Sequence, residues 1–300
     1  MTQISTPAPV VPALAATSSI TAAGAAVGLW LPAMTLWRRE MVRFFRQRNR
    51  VASALITPVL MWLMLGTGLN NAFTNTAAQK VGEAAADAAA GGYMLYFFPG
   101  TITMILLFTA IFSTITVIED RREGFLQGVL VSPAPRLSIA LGKVLGGASI
   151  AMIHALVFLL IYPFAAGGLG NVNFGLLLAA IPIMAVLAIG MTGLGMCIAW
   201  PMDSTAAFHA IMMVFLMPMW FLSGAIFPVS SAPIGMKVIM LCNPLTYGHD
   251  FLATVLTGGR ATSGVPVPLF VSGLIAVGFA AGVMWLATRQ VARPRRDGLP

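Results

Sequence analysis

Charged side chains are scarce in this sequence: they make up 9% of its 300 residues, against about 25% in soluble globular domains. Hydrophobic residues account for 58%, and together these values exclude a soluble domain and imply an integral membrane protein. The net charge of +8 therefore reads as a topology signal, because nucleic-acid binding needs a basic face on a folded soluble domain. The two cysteines, Cys197 and Cys242, lie far apart and fit neither a disulfide framework nor a metal-ligand spacing. No GxxxxGK[ST] phosphate loop is present, since "LGKV" at Leu141–Val144 lacks both the glycine spacing and the hydroxyl. His154, His209 and His249 are scattered, each expected to be a helical histidine bonded to a neighbour and not half of a haem or metal pair. No nucleophile, base and orienting group fall into an arrangement, so an enzyme is not expected, nor a metal. The first 35 residues carry no charge, and a secretory signal would need a positive n-region, so residues 1–35 read as a flexible tail. The apolar stretches contain no Asp, Glu or Arg, and Lys143 stands at a border. Carriers driven by proton or sodium gradients need ionisable groups inside the membrane, so transport by this chain would have to draw its energy from elsewhere.

What is present is long apolar sequence. A bilayer takes about 20 residues of helix, and Val51–Leu69, Met94–Ile118, Val144–Ala166, Phe174–Trp200 and Val265–Thr288 meet that length. Ala206–Phe227 does so too, with an expected kink at Pro218. The spacing thus predicts an all-α integral membrane protein with six spans over residues 51–288. Lys and Arg fix its orientation. With both termini cytoplasmic, fourteen of the seventeen lie inside, leaving only Lys80, Lys237 and Arg260 outside. The tail of residues 289–300 is one of these basic inner segments.

Three segments are not spans. Residues 36–50, "LWRREMVRFFRQRNR", are amphipathic at helical period. Trp37, Met41, Phe44 and Phe45 share one face, while Arg39, Arg43, Arg46 and Arg50 lie nearly opposite. That pattern predicts a helix in the inner-leaflet interface, in contact with membrane lipids. The run Glu119, Asp120, Arg121, Arg122, Glu123 begins the only sizeable inner loop and is followed by Gly124, Phe125 and Leu126, before Pro133 and Pro135 stop it. Acidic residues contribute little to orientation, so a helical stub that presents its charges and an apolar ridge to a soluble protein is expected. Between Phe227 and Val265, apolar pieces are broken by Pro, Gly, Asn and Asp every few residues. Pieces of about 10–14 residues are too short to span and read as re-entrant or interfacial helices capping the outer end.

Two of these stretches carry a resemblance. "EGFLQGVLVSPAPRLSIALGKVLG" is similar to the Gly-x-Leu-x-x-Leu-x-Ser/Thr-Pro loop and following Gly-Lys of the permease subunits of type-2 ABC exporters, and "FLSGAIFP" leading to "NPLTYGHD" is similar to their outer signature. The likeness covers roughly Leu36 to the last span. It implies a coupling helix at Glu119–Leu126 that docks on a separate ABC ATPase subunit, an interfacial connecting helix, and an outer gate capped by Asn243, Pro244, Tyr247 and Asp250. It further implies a second copy of the permease, ATP and magnesium on the partner subunit, and no cofactor on this chain. Phe125 and Gln127 replace the family's usual Thr and Glu, and Ala253 stands where many relatives have an Arg that could pair with Asp250. An alternative of a different class is a membrane scaffold that recruits a soluble protein through the same loop and moves no solute. The nineteen methionines, Met212, Met213, Met217 and Met219 among them, either pack the spans or line an adaptable path.

Overall fold

The structure, a computed structural model, describes residues 28–68, 92–259 and 263–293. Most of the two predicted tails and the loop expected between the first two spans lie outside the described residues. All regular elements among the described residues are helical. In chain order they are α1 (Trp30–Arg46), α2 (Arg48–Gly68), α3 (Gly92–Ser113), α4 (Ile115–Arg122), α5 (Phe125–Val131), α6 (Arg136–Leu159) and α7 (Tyr162–Ala165). Then follow α8 (Phe174–Ala199), α9 (Thr205–Phe221), α10 (Ile234–Cys242), α11 (Pro244–Thr257) and α12 (Leu269–Ala292).

Four segments are long and apolar enough to cross a membrane: α3 and α4 taken together, α6, α8 and α12. Two shorter apolar helices accompany them, Ala52–Gly68 within α2 and the whole of α9. Gly92–Arg122 comprises 31 residues, about 46 Å of helix at 1.5 Å per residue. That exceeds the ~30 Å of hydrocarbon in a bilayer, so one end of the bundle must project beyond it. The projecting end carries α1, α4, α5 and the start of α6, and it is the charged end. α3 is the central element, enclosed by α2, α6, α8 and α11, and Phe97, Phe98, Leu107 and Ile111 along it are wholly buried.

Several boundaries differ from the sequence expectation for identifiable reasons. The helix expected to begin at Leu36 begins at Trp30, because Pro32 falls in its first turn, where a missing N–H costs nothing. It ends at Gln47, whose non-helical φ −92°, ψ 73° breaks the chain, so Arg48 and Arg50 belong to α2. The span expected from Val144 starts at Arg136, directly after an extended Pro135, and this carries Lys143 two turns into a helix. The span expected to reach Phe227 stops at Phe221, before Gly224 turns the chain with φ +87°. Beyond it, α10 and α11 have 9 and 14 residues, too short to span, and α11 packs against α8 and α12.

α1 departs most from expectation. It packs along α6 and buries Ala33, Leu36, Glu40 and Phe44, a stripe that only partly overlaps the predicted apolar face. The cause is a pair of glycines one turn apart on α6. A Cβ at Gly142 would lie 2.7 Å from the Ala33 carbonyl oxygen and 2.7 Å from Leu36 Cβ; one at Gly146 would lie 2.8 Å from Glu40 Cβ. Only hydrogen at these positions lets the two helices come this close. A Gly142→Val substitution should therefore force α1 off α6 and cost about 1–3 kcal/mol, read as a lowered thermal midpoint in detergent. Gly128→Ala, where a Cβ meets nothing within 4 Å, should leave the midpoint unchanged.

Candidate functional site

The close approach of α1 to α6 brings Glu40 onto Lys143. The Lys143 ammonium donates to Glu40 at 2.5 Å and also to Asp120, with Thr116 Oγ1 at 3.5 Å. Asp120 is completely buried, and its carboxylate accepts three further hydrogen bonds. Arg39 grips it in a fork, with contacts of 2.9 and 2.7 Å, and Arg43 Nη1 reaches it at 2.8 Å. Arg43 Nη2 continues to Glu119 at 2.9 Å and to Glu123 at 3.3 Å. Four carboxylates and three cations from α1, α4 with its C-terminal cap Glu123, and α6 thus form one cluster. A buried carboxylate without a partner is costly; here each lone pair of Asp120 has a donor.

In this arrangement the charged run also finds partners within the chain. Glu119–Arg122 form the last turn of α4, and their partners are inside the chain. Arg121 donates to the carbonyls of Met202 and Trp200 at 2.8 and 2.6 Å and pairs with Asp203 at 3.1 Å, while Arg122 Nε donates to the Asp203 carbonyl at 2.9 Å. On α1, Arg39 and Arg43 turn towards carboxylates of α4, on the side opposite the expected apolar face. Trp37 Nε1 donates to Ser149 at 3.0 Å, Met41 is half-buried, and Phe44 stacks edge-on against His154 at 5.3 Å. Phe45 and Arg46 are exposed. Glu40 and Lys143, at the centre of the cluster, were not legible as site residues. A lone acid inside an arginine-rich helix was the available signal for Glu40.

Beyond the cluster the chain turns at Gly124, whose φ of +78° is open to glycine and strained for other residues. That turn sets α5 across the end of the bundle. The Arg39 guanidinium lies 3.7 Å from the Phe125 ring centroid and Leu126 is buried, which fixes one side of α5. The other side carries Gln127, Gly128 and Val131 into the open, with Val131 87% exposed.

A cleft of about 510 Å³ opens between α2, α3, α4 and α9. Its wall is apolar and aromatic, with Met104, Phe108 and Phe112 from α3 and Met213 and Met217 from α9. Glu119 and His209 are its ionisable lining groups, and the His209 ring lies 5.3 Å from that of Phe112. Two of the four methionines in question thus line an opening, while Met212 and Met219 are packed in the interior.

The second predicted site lies at the opposite end of the bundle. Asn243 caps α11 by accepting from the Leu245 N–H at 3.0 Å, and its amide donates to the Met219 carbonyl at 2.7 Å. Pro244 occupies the first helical position, and Tyr247 donates to the Leu241 carbonyl at 2.7 Å. Asp250 is buried and accepts from Ser263 at 2.6 Å and Ser272 at 3.0 Å. Burial pushes this carboxyl above the usual range, and the two hydroxyls pull it part of the way back. Neighbouring His249, 3.0 Å from Thr103, is pushed down to about 4 by burial and is uncharged at neutral pH. Two serine hydroxyls take the place that an arginine would have filled; Ala253 is itself buried.

Replacing Lys143 by Met should cost about 3–5 kcal/mol, since it strands Glu40 and removes a donor from Asp120. Glu123→Gln, at the rim of the cluster with its side chain 58% exposed, should cost less than about 1 kcal/mol. Thermal or denaturant unfolding of the purified chain in detergent measures both.

Comparisons with known proteins identify the family. The family model described as ABC-2 type transporter matches residues 33–256, a range that contains the ion cluster, the cleft and the Asn243 hairpin. The chain is 24% identical over 213 residues to a putative transport permease, ycf38, of Cyanophora paradoxa, covering 71% of this chain and 69% of the relative. It is 24% identical over 228 residues to Nodulation protein J of Rhizobium leguminosarum bv. viciae, covering 75% and 82%. A probable multidrug ABC transporter permease, YbhR, of Escherichia coli K12 is 27% identical over 165 residues, covering 53% of this chain and 42% of that protein. With the family model spanning most of its length, this multi-pass, all-helical chain belongs to the ABC-2 type transporter family.

Proposed function

We propose that this chain is the membrane-spanning subunit of an ATP-driven exporter, working with a separate cytoplasmic ABC ATPase that holds ATP and magnesium. The observation that carries this reading is α5. It is a short helix seated by Leu126 and Phe125 on a platform that the ion cluster holds rigid, and it exposes Gln127, Gly128 and Val131. Small and apolar groups on a rigid stub suit insertion into a pocket of a partner. In this reading the charged end faces the cytoplasm of a bacterium, α2 and α9 complete six spans of the inner membrane, and both termini are cytoplasmic. Closure of the ATPase on nucleotide would push α5. Because α1, α4 and α6 are joined through Asp120 and Lys143, the displacement would pass to them together.

The cleft supports transport over recruitment alone, for a scaffold has no use for an aromatic opening of about 510 Å³. Its outer walls, α2 and α9, expose Leu60, Met64, Val214 and Phe215. A second copy of the chain would cover these faces and enclose a path. The lining favours an amphipathic or lipid-linked substrate, and the chain itself supplies binding and movement, not chemistry.

The experiment is co-purification from the native host in mild detergent, with ATP hydrolysis as the readout. The chain is expected to bring an ATPase with it. Val131→Asp is expected to lose that activity while the thermal midpoint of the chain stays unchanged. Absence of ATP hydrolysis from the native preparation, or full retention in the variant, overturns the assignment.

A further inference from the structure

α12 has two faces of opposite character. Ser272, Ala276, Ala280, Val283, Ala287 and Val291 recur every three or four residues and are buried. The other side presents Phe270, Leu274, Val277 and Trp285, all half exposed or more. One turn beyond Trp285 on that side comes Arg289, and one turn further Arg293. The outward stripe thus passes from apolar side chains to indole to guanidinium. The Arg289 guanidinium lies 3.8 Å from the Trp285 ring centroid.

The height of this change along the bundle can be traced. The Val283 carbonyl lies 3.6 Å from Cys197 Sγ, and Gly195 packs on Ile111 and Thr114, where α3 meets α4. Trp285 is therefore close to the level of that junction, beyond which the long α3–α4 segment projects towards the charged end. A half-exposed tryptophan followed by arginines marks the passage from hydrocarbon to headgroups.

A third arginine joins from another helix. Arg136, the first residue of α6, donates from Nη1 to the Ala292 carbonyl at 3.3 Å. Arg136, Arg289 and Arg293 thus stand on the two elements that meet at the start of α6 and the end of α12. No carboxylate among the described residues pairs with any of them. The described acids at this end, Glu40, Glu119, Asp120, Glu123 and Asp203, are paired with Arg39, Arg43, Arg121 and Lys143. A topology signal requires positive charge but not its convergence from two helices beside an exposed indole.

We propose that Arg136, Arg289 and Arg293 bind the headgroup of an anionic phospholipid in the leaflet at the charged end, with its acyl chains lying along Trp285 and the stripe above it. Guanidinium groups hold phosphate oxygens in bidentate pairs, and cations near a membrane surface each favour anionic lipid by about 1 kcal/mol. A zwitterionic headgroup brings an ammonium that three arginines repel. The bound lipid would join the end of α12 to the start of α6, which follows α5 after a turn of four residues, 132–135. The inference rests on the membrane reading alone and is independent of the transport reading, so either can fail without the other.

Trp285 is the reporter. The full chain is reconstituted in phosphatidylcholine vesicles containing brominated phosphatidylglycerol or, separately, brominated phosphatidylcholine. Quenching is measured against a Trp285→Phe control that supplies the signal of the other tryptophans. Brominated phosphatidylglycerol is expected to quench the Trp285 component at a mole fraction at least about tenfold lower than brominated phosphatidylcholine. Replacing Arg136, Arg289 and Arg293 by Gln is expected to abolish that preference, and replacing them by Lys to preserve most of it. In the unaltered chain the preference is expected to shrink as salt rises, a readout that needs no variant. Equal quenching by the two lipids overturns the proposal and points to a face that meets any lipid or is covered by another protein. Loss of the preference in millimolar inorganic phosphate also overturns it, by making the site one for free phosphate.

Discussion

Lys143 is the group on which the charged end depends. It is buried on a helix, and a lysine in that position needs a carboxylate; it has two, Glu40 from α1 and Asp120 from α4. Each carboxylate in turn needs a cation at close range, so the three helices are held in one register. Salt bridges of this kind contribute little net stability compared with apolar packing, but breaking one partner away is expensive. Their effect is to make one arrangement of α1, α4 and α6 much better than its neighbours. The glycines at 142 and 146 are the steric condition for it, since without them Glu40 could not approach.

The rest of the charged end follows from that lock. α5 rests on a fixed base, formed by the cluster with the Arg39–Phe125 contact. Arg121 and Arg122 extend the same rigid unit to the turn between α8 and α9 by binding its carbonyls. α9 is otherwise lightly held and stands next to the cleft, so a movement of α5 has a route to one of the cleft's walls. At the other end, Asn243 ties α11 to the end of α9, and Asp250 ties it to Ser272 at the start of α12. The two ends of α9 are thus each fastened to a different polar device, with a loosely packed apolar helix between them.

Much of this was legible in the sequence, and the exceptions share a cause. Long apolar runs mark the helices because hydrophobic length is read by the bilayer alone. Pro, Gly and Asn between residues 227 and 265 mark the two short helices because those residues act locally. Pairing over distance is different. The acids at 119, 120 and 123 looked available for a partner, since nothing in the local pattern says that Arg39 and Arg43 lie against them, about eighty positions earlier. Phe44 looked like a lipid-facing residue because the period of α1 is the same whether its apolar side meets lipid or α6. The small residues that decide between those two, Gly142 and Gly146, sit on another helix, and their meaning depends on what approaches them. Asp250 illustrates the same limit: the absence of an arginine at 253 is plain in the sequence, but the serines at 263 and 272 become its partners only through the fold.

Asp120 and Lys143 hold each other inside this chain, with no other protein present. A double-mutant cycle on the purified chain tests it most directly, combining Asp120→Asn with Lys143→Met and measuring unfolding in detergent. The double variant is expected to lose less than the sum of the two single losses, by about 1–3 kcal/mol, as residues in one ion network do. Additive losses, within about 0.5 kcal/mol, would contradict it and return the acids of α4 to the role of contacts for a partner.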